Sequence, residues 1–315
     1  MTMATEYMSA VWKDGLFKDR VIFVTGGAGD ICSAQTKAIV HLGANACIIG
    51  RNVEKTERVA REIAQVRPGA KVIGIGAVDV RKFEDLKKAA DRCVSELGAI
   101  DFVIAGAAGN FVAPISALTP NGFKSVIDID TIGTFNTIKA TVPHLMASAS
   151  RNPNPSPTGQ TGGRIIYVSA TFHYTGVPLQ AHVSAAKAGV DSLMASVALE
   201  YGPFGITSNV ISPGGIEGTE GMERLSSGEV NKDPKLGGGA VPTGRWGTKR
   251  DIGDATIFLF SEAGNYVNGH CLVVDGAAWR GTNAGVGLDP GMRYPDFILN
   301  GEFSKHVKSG RKSKL

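Results

Sequence analysis

Short apolar runs alternate with longer amphipathic stretches along most of the chain. The runs are rich in Val and Ile and nearly continuous in hydrophobicity, which is typical of strands buried on both faces of a parallel sheet. Between them, residues 183–201 repeat apolar side chains near the helical period of 3.6. Repeated strand–helix–strand units predict a single doubly wound, Rossmann-type α/β domain with a parallel sheet of about seven strands. The predicted strands are Val21–Thr25, Ala46–Gly50, Lys71–Ala77, Phe102–Gly106, Arg164–Ser169, Thr207–Ile211 and His270–Val274.

Two stretches depart from this alternation. Residues 148–163 hold three prolines, three glycines and no apolar side chain larger than that of alanine. We therefore expect an exposed loop between a helix and the fifth strand. Residues 214–246 are rich in glycine, carry several large apolar side chains and follow the carboxyl end of a strand. This second stretch is either a lid over a ligand crevice or a variable surface loop.

The composition argues against a membrane-spanning protein, a nucleic-acid-binding protein and a cysteine-ligated metal site. Of 315 residues, 43% are hydrophobic and 20% charged, which are ordinary values for a folded protein, and no apolar run is long enough to cross a membrane. The net charge of +4 arises from the last eleven residues, which hold five Lys or Arg and no acid, so we expect no nucleic-acid partner. The four cysteines have no metal-ligand spacing, and we interpret them as small apolar side chains; they are Cys32, Cys47, Cys93 and Cys271.

The chain ends in Ser313-Lys314-Leu315. This tripeptide at a carboxyl terminus is a peroxisomal address that a receptor reads, and here it follows a basic tail with Gly and Ser. A random tripeptide can also match. We expect the import receptor to be a partner and the peroxisomal matrix to be the location.

A glycine-rich turn follows the first predicted strand and precedes a helix. Such a turn brings backbone N–H groups close to a pyrophosphate at the helix N-terminus. The second strand ends at Gly50-Arg51-Asn52, and an arginine there suits the 2′-phosphate of NADP, although it could also be a solvated charge. Asp79 follows the third strand, where it either contacts the adenine or caps the next helix. Small residues in 105–110 allow close approach to a ribose or tight strand–helix packing.

These segments resemble the short-chain dehydrogenase/reductase family. Within it, the chain is most similar to the peroxisomal 2,4-dienoyl-CoA reductases, especially their fungal members. The resemblance covers residues 17–280, which we expect to form an NADP-binding reductase domain, with extensions at 1–16 and 281–315. The segments that carry it include Gly106–Phe111, Asp128–Asn136, Ser169–Thr171, Leu179–His182, Glu217–Leu225 and Asp275–Trp279.

The chain departs from the family pattern in the phosphate turn and at the catalytic centre. Asp30 and Cys32 stand where members usually have glycine. The usual catalytic tyrosine and serine positions hold Val183 and Ala170, and Phe172 occupies the alternative tyrosine position of the mitochondrial type. Asp130 replaces the usual Asn, while Lys187 is retained.

The resemblance implies reduction of a 2,4-dienoyl-CoA by NADPH and a homo-oligomer. The alternatives are a trans-2-enoyl-CoA reductase of the same family and a non-catalytic NADP-binding protein. Asp130 and Lys187 are the implied catalytic residues, and together they would hold a water that supplies the proton. The alternative for Asp130 is a helix residue paired with a nearby Lys. The alternative for Lys187 is a helix lysine whose aliphatic stem is buried and whose ammonium reaches solvent. The implied cofactor-binding residues are Thr25, Gly26, Gly27, Gly29, Asp30, Ile31, Arg51, Asn52, Asp79, Val80, Ala107, Gly109, Lys187, Pro213, Gly214 and Ile216. The implied substrate-binding residues are Asn110, Phe111, Thr171, His182 and Met222.

Overall fold

Seven parallel strands form one sheet in the computed structural model, which describes residues 6–155, 157–225 and 241–281. The strand order is β3-β2-β1-β4-β5-β6-β7, and every neighbouring pair is parallel. The strands are β1 (Val21–Thr25), β2 (Asn45–Ile49), β3 (Val72–Ile75), β4 (Phe102–Ala105), β5 (Arg164–Val168), β6 (Thr207–Pro213) and β7 (Cys271–Val274). All seven predicted strands are confirmed, with ends that differ by a few residues because strand ends carry the weakest hydrophobic signal.

Helices cover both faces of the sheet, as a doubly wound fold requires. One face packs against α1, α2 and α9, and the other against α3, α5 and α7. A π-helical turn, Asp128–Ile132, joins α4 to α5 without a break. The helices are α1 (Asp30–His41), α2 (Val53–Ala64), α3 (Phe83–Leu97), α4 (Pro120–Ile127), α5 (Gly133–Arg151), α6 (Phe172–Thr175), α7 (Ala181–Tyr201), α8 (Glu220–Leu225), α9 (Lys249–Phe260) and α10 (Ala278–Gly281).

The reversal of strand order sets the position of the site. The chain moves outward in one direction from β1 to β3 and then returns to the other side of β1 at β4. The loops after β1 and β4 therefore separate at the carboxyl edge and leave a crevice there. Among the described residues, none of the helices combines the length and the apolar character that a bilayer crossing requires.

The expectation of an exposed loop over residues 148–163 is wrong in part. Helix α5 continues to Arg151, and Asn152 and Thr161 are buried. Thr161 Oγ1 donates to the Phe260 carbonyl, and the buried Arg164 guanidinium donates to the Leu259 and Ser261 carbonyls and to the side-chain oxygen of Asn265. Polar side chains thus attach this segment to the end of α9, an association that hydrophobic patterning does not reveal.

The segment before β1 also packs on the domain. Tyr7 and Met8 are buried in the core, and Asp254 Oδ1 on α9 accepts hydrogen bonds from Ser9 and from Trp12 Nε1. Residues 7–12 therefore lie against the sheet's helical layer. The predicted C-terminal extension, with Ser313–Leu315, lies outside the described residues apart from Gly281.

Candidate active site

The turn between β1 and α1 is shaped to approach an anion. Gly26 has φ +65°, and a Cβ there would lie 2.9 Å from backbone atoms of Ala107. Thr25 Oγ1 accepts hydrogen bonds from Gly106 N and Ala107 N at 3.1 and 3.3 Å, which ties the turn to the loop after β4. Helix α1 begins after Gly29, with no side chain capping its first N–H groups. These donors and the helix dipole suit a pyrophosphate.

Asp30 turns toward α8 and α9. Its Oδ2 accepts a hydrogen bond from Glu220 N at 2.9 Å, and its Oδ1 lies 3.9 Å from Lys249 Nζ. The carboxylate is thus compensated by a backbone donor and a cation. This arrangement explains how a negative side chain can occupy the first turn of a helix that is suited to an anionic ligand, and it does not support a direct cofactor contact by that carboxylate.

Cys32, the second unusual residue of the turn, fills space that a glycine leaves open. A Cβ on Gly106 would lie 2.2 Å from Cys32 Sγ, so the thiol requires glycine at position 106. Burial raises the pKa of the Cys32 thiol to about 12, and the nearby positive charge of Lys187 opposes this only in part. The thiol is therefore a packing group and a poor nucleophile. The described cysteines are all free.

A cavity of about 120 Å³ lies between the ends of β2, β3 and β4. Arg51 stands exposed at its rim, and Val80 and Ala107 line its wall. Asp79, also in the lining, binds Arg81 Nε at 2.9 Å, and the resulting hydrogen bonds are the main cause of its lowered pKa. Asp79 therefore pairs with Arg81 instead of capping α3, whose N-cap is Lys82.

The Asn52 side chain has a structural partner. Its Oδ1 accepts a hydrogen bond from Lys55 N at 2.8 Å and so caps α2. The prediction of a cofactor contact at Asn52 is thus not supported for its side-chain oxygen. An Asn before a helix gives the same sequence signal for a cap and for a ligand, so the cofactor contact at Asn52 stays a prediction.

Asp130 and Lys187 meet below the ends of β4 and β5. Asp130 is fully buried, and its Oδ1 accepts a hydrogen bond from Gly109 N at 2.7 Å. Lys187 Nζ donates to the Val168 carbonyl at 3.0 Å and lies 3.1 Å from Asp130 Oδ2. Beyond this ion pair, Asp130 Oδ2 has no hydrogen-bond partner. The structure therefore brings the two predicted catalytic residues together, each fixed by one backbone group.

The wide turn at 128–132 is what directs Asp130 inward. A π-turn holds one residue more than an α-helical turn and changes which side chains face the sheet. Asp128 in the same turn lies toward solvent and pairs with Lys124. Thr131, on the turn's other side, donates to the Ala186 carbonyl at 3.0 Å and holds the turn against α7.

Apolar side chains occupy the positions of the family's tyrosine and serine. Val183 is buried and packs with Val126 and Ala186, with Phe172 beside them. Ala170 is buried as well. The described site therefore offers no phenol at either tyrosine position.

The predicted substrate-binding residues near this centre differ in their exposure to solvent. Asn110 and Phe111 are exposed in the loop after β4, whereas His182 is fully buried. His182 Nε2 lies 2.9 Å from the Phe111 carbonyl, and the two rings are 4.3 Å apart. Thr171 is buried at the start of α6.

The loop after β6 carries the remaining predicted residues. Pro213 ends β6, and Gly214 N donates to the Val274 carbonyl at 3.0 Å. Ile216 is buried and bridges to Gly247. Met222 lies on α8, whose first residue bonds Asp30. The stretch after β6 thus packs on the phosphate turn in its described part; residues 226–240 lie outside the description.

Sequence reasoning assigned no role to Gln180 and considered Tyr174 only as an alternative source of the proton. Gln180, at the N-cap of α7, is buried with both amide atoms unpaired. Tyr174 OH donates to Asp191 Oδ2 at 2.6 Å, and Asp191 also lies 2.9 Å from His173 Nε2. Burial and the bond to Asp191 raise the Tyr174 pKa, so this phenol is a weak acid. Gln180 lies in a motif that the resemblance had singled out without assigning it a role.

Comparison with known proteins identifies the class. Residues 26–277 match the family described as enoyl-(acyl carrier protein) reductase. A short-chain dehydrogenase of Bacillus anthracis has a TM-score of 0.69 and 32% identity, covering 84% of this chain and 98% of its own. Levodione reductase, at 24% identity, shares the fold with a TM-score of 0.74 and coverage of 84% and 99%. The chain belongs to the short-chain dehydrogenase/reductase family, whose members are oxidoreductases that use a nicotinamide cofactor.

Two relatives with higher sequence identity are both named peroxisomal 2,4-dienoyl-CoA reductases. The peroxisomal 2,4-dienoyl-CoA reductase of Saccharomyces cerevisiae is 48% identical over 93% of this chain and 94% of its own length. The peroxisomal 2,4-dienoyl-CoA reductase of Mus musculus is 37% identical, covering 84% of this chain and 85% of its own. Both are described as producing (3E)-enoyl-CoA. The resemblance found in the sequence motifs is therefore confirmed.

Proposed function

We propose that this protein is an NADPH-dependent 2,4-dienoyl-CoA reductase that yields 3-enoyl-CoA in the β-oxidation of unsaturated fatty acids. The observation that carries the proposal is the buried Asp130–Lys187 pair beside apolar residues at the family's tyrosine and serine positions. Ketone reduction needs an acid at the substrate oxygen, which the tyrosine normally supplies. Conjugate reduction needs instead a proton at carbon, and the names of the relatives agree with it.

The residues present fit NADPH. The uncapped start of α1 suits the pyrophosphate, and the close approach of Gly26 to Ala107 shapes the cavity for the adenosine. Arg51 at the cavity rim would bind the 2′-phosphate, since a guanidinium matches phosphate oxygens. Lys187 would hold the nicotinamide ribose. When bound, NADPH supplies a hydride.

The reaction balances with one added proton. The hydride forms a bond with the far carbon of the diene, and an electron pair moves through the conjugated system onto the thioester oxygen. A proton then bonds to the carbon next to the thioester, the pair returns from oxygen, and one double bond remains between the third and fourth carbons. The protein must therefore stabilise charge on oxygen and deliver a proton to carbon.

Asp130 and Lys187 would together hold the water that delivers this proton. Gly109 N fixes one carboxylate oxygen and the Val168 carbonyl fixes the ammonium, so both groups are oriented before substrate arrives. Asp130 Oδ2 retains lone pairs that a water can donate to. The proton lost by the water is replaced from solvent.

Turnover with three reaction mixtures tests the proposal. NADPH absorbance should fall with 2,4-dienoyl-CoA and stay constant without acyl-CoA. Preferential turnover of trans-2-enoyl-CoA would indicate the alternative reductase, and NADPH binding without any turnover would indicate a non-catalytic protein. Chromatography against 2-enoyl and 3-enoyl standards identifies the product isomer.

We further propose that residues 17–280 form the catalytic unit, that the protein acts in the peroxisomal matrix and that it forms a homo-oligomer. Support for the location comes from the peroxisomal relatives and from Ser313–Leu315. A tagged chain lacking these three residues should stay in the cytosol of cells that have no full-length copy, and light scattering measures the assembly.

A further inference from the structure

Gln180 is a buried glutamine without a hydrogen-bond partner at the start of α7. Its side chain is 3% exposed, and neither Oε1 nor Nε2 has a partner. Burying a polar group without a partner is unfavourable, because the group loses its hydrogen bonds to water, so Gln180 calls for a specific explanation. A bound ligand that completes the pairing is one such explanation.

Two contacts fix this residue between the loops that frame the site. The preceding carbonyl, of Leu179, accepts a hydrogen bond from Ala113 N at 3.1 Å. Two residues later, His182 Nε2 bonds the Phe111 carbonyl at 2.9 Å. Gln180 thus lies where the loop after β4 meets the loop after β5. The same region holds the unpaired Ser169 Oγ.

Gln180 stands three residues before Val183 and seven before Lys187. Val183 and Lys187 lie on one face of α7, and Gln180 is the N-cap residue one turn before Val183. Helix α7 starts at the carboxyl end of the sheet and runs back toward the amino end, because it connects β5 to the parallel β6. Moving from Val183 to Gln180 therefore leads outward from the sheet by roughly 4.5 Å along the axis.

The chemistry of a conjugated substrate requires such an outward shift. In a ketone, the carbon that accepts the hydride itself carries the oxygen, so the donor stands at the tyrosine position. In a dienoyl thioester, several bonds separate the far carbon from the oxygen. The donor must then stand farther from the hydride than the tyrosine position does, and Gln180 lies about one helical turn beyond Val183 toward the carboxyl edge of the sheet.

His182 and Lys187 are engaged near the site, whereas Ser169 Oγ is unpaired and remains a rival donor that the experiment below distinguishes. The Phe111 carbonyl can only accept, so His182 Nε2 carries the hydrogen and is engaged there. Lys187 is already bound to the Val168 carbonyl and paired with Asp130. Gln180 Nε2 offers two free N–H groups whose number does not change with pH.

We infer that Gln180 Nε2 donates a hydrogen bond to the thioester oxygen of the bound dienoyl-CoA, where charge collects as the hydride adds. This inference rests on the proposed function and assigns a catalytic residue that the family's tyrosine and serine positions do not supply. Gln180 is a stabiliser of charge on oxygen, separate from the proton delivery by Asp130 and Lys187.

Spectroscopy of a complex that cannot turn over tests the hydrogen bond directly. Dienoyl-CoA is bound to the protein together with NADP⁺, and its conjugated absorption band is recorded. A hydrogen bond to the carbonyl polarises the chromophore and moves the band to longer wavelength. The shift should occur in the unmodified protein and disappear in Gln180→Met, which keeps the side-chain length but removes both polar atoms.

Kinetics provides the second readout. Gln180→Met should lower kcat by about 10²–10³-fold, as removal of one oxyanion donor does, with little change in the Kd of NADPH. Gln35→Met is the matched control, because Gln35 is also buried with an unpaired Oε1 but lies between α1 and α9, bonded to Thr256. It should retain kcat and the band shift. Gln180→Leu serves as a second variant if the first does not fold.

Three results would overturn the assignment. One is a folded Gln180 variant that keeps both the band shift and kcat. Another is a rise in KM alone, which would mean uniform binding of substrate and transition state. The third is a loss of the band shift and of kcat in Ser169→Ala but not in Gln180→Met. This result would assign the donor to Ser169. Failure of the proposed function differs from all three, since the unmodified protein would then not reduce dienoyl-CoA.

Discussion

Buried polar groups at the two ends of the parallel strands differ in whether they have hydrogen-bond partners. At the amino edge, Asp101 accepts hydrogen bonds from Val21 N at 2.9 Å and from Ser148 Oγ at 2.5 Å, with Arg20 at 3.6 Å. Arg164 donates to two carbonyls at 2.8 Å although burial lowers its pKa to about 10. Among the described groups of this cluster, only Arg20 Nε is left unpaired.

The carboxyl edge has the opposite character. Asp130 Oδ2, Ser169 Oγ, both amide atoms of Gln180 and His182 Nδ1 are buried without hydrogen-bond partners. Polar groups at the amino edge are complete within the fold and serve stability. Those at the carboxyl edge are left for a ligand or water to complete, so their substitution should affect catalysis more than folding.

The largest effect is expected at Asp130. Asp130→Asn restores the more usual family residue yet should lower turnover by about 10²–10⁴-fold, because it removes general acid–base help. Single-turnover kinetics with dienoyl-CoA measures this, and the melting temperature should change little. Lys187→Ala should reduce both turnover and NADPH affinity, and Val183→Tyr should rescue neither variant. Full turnover by Asp130→Asn when chemistry limits the rate would exclude the proposed proton route.

A change at the amino edge should give the reverse pattern. Arg164→Met should destabilise the protein by about 2–4 kcal/mol, since it leaves the Leu259 and Ser261 carbonyls buried without donors. Chemical denaturation measures the loss, and kcat at a permissive temperature should be unchanged. Arg164→Lys, which keeps one donor, is the milder control. A large fall in kcat with normal stability would break the distinction between the edges.

Arg51 tests the cofactor proposal on a smaller scale. Arg51→Asp should weaken NADPH binding by roughly ten- to a hundredfold and spare NADH, because one charge-assisted contact with phosphate is lost. Fluorescence titration with both cofactors measures the two affinities. Equal binding of NADPH and NADH by the unmodified protein would contradict the role of Arg51.

The smallest effect is expected at Asp30. Its carboxylate is compensated by Glu220 N and Lys249 and is partly exposed, so Asp30→Asn should change the Kd of NADPH by less than about threefold. Calorimetry of NADPH binding at low salt measures it. Binding that becomes tenfold tighter would mean that the carboxylate repels the pyrophosphate after all.

The sequence predicted the sheet well because its strands are buried on both faces, and continuous runs such as Val21–Thr25 leave little ambiguity. It also singled out Asp130 and Lys187 from a motif, and the structure places the two in contact, while their catalytic role stays a prediction. It could not predict how residues 148–163 attach to α9, since that depends on single hydrogen bonds from Thr161 and Arg164. The cap formed by Asn52 and the unpaired amide of Gln180 likewise depend on geometry that periodicity does not encode.

The π-turn at Asp128–Ile132 makes the active site sensitive to residue count. Helices α4 and α5 continue on both sides of it, so one deleted residue would let the turn close to ordinary helical pitch. Closing the turn removes its extra residue locally, so α4 and α5 would keep nearly their present positions while the side chains within the turn change direction. Asp130 would then leave Lys187 although no chemical group had been replaced. In this segment the number of residues, and not only their type, sets the direction of the Asp130 carboxylate.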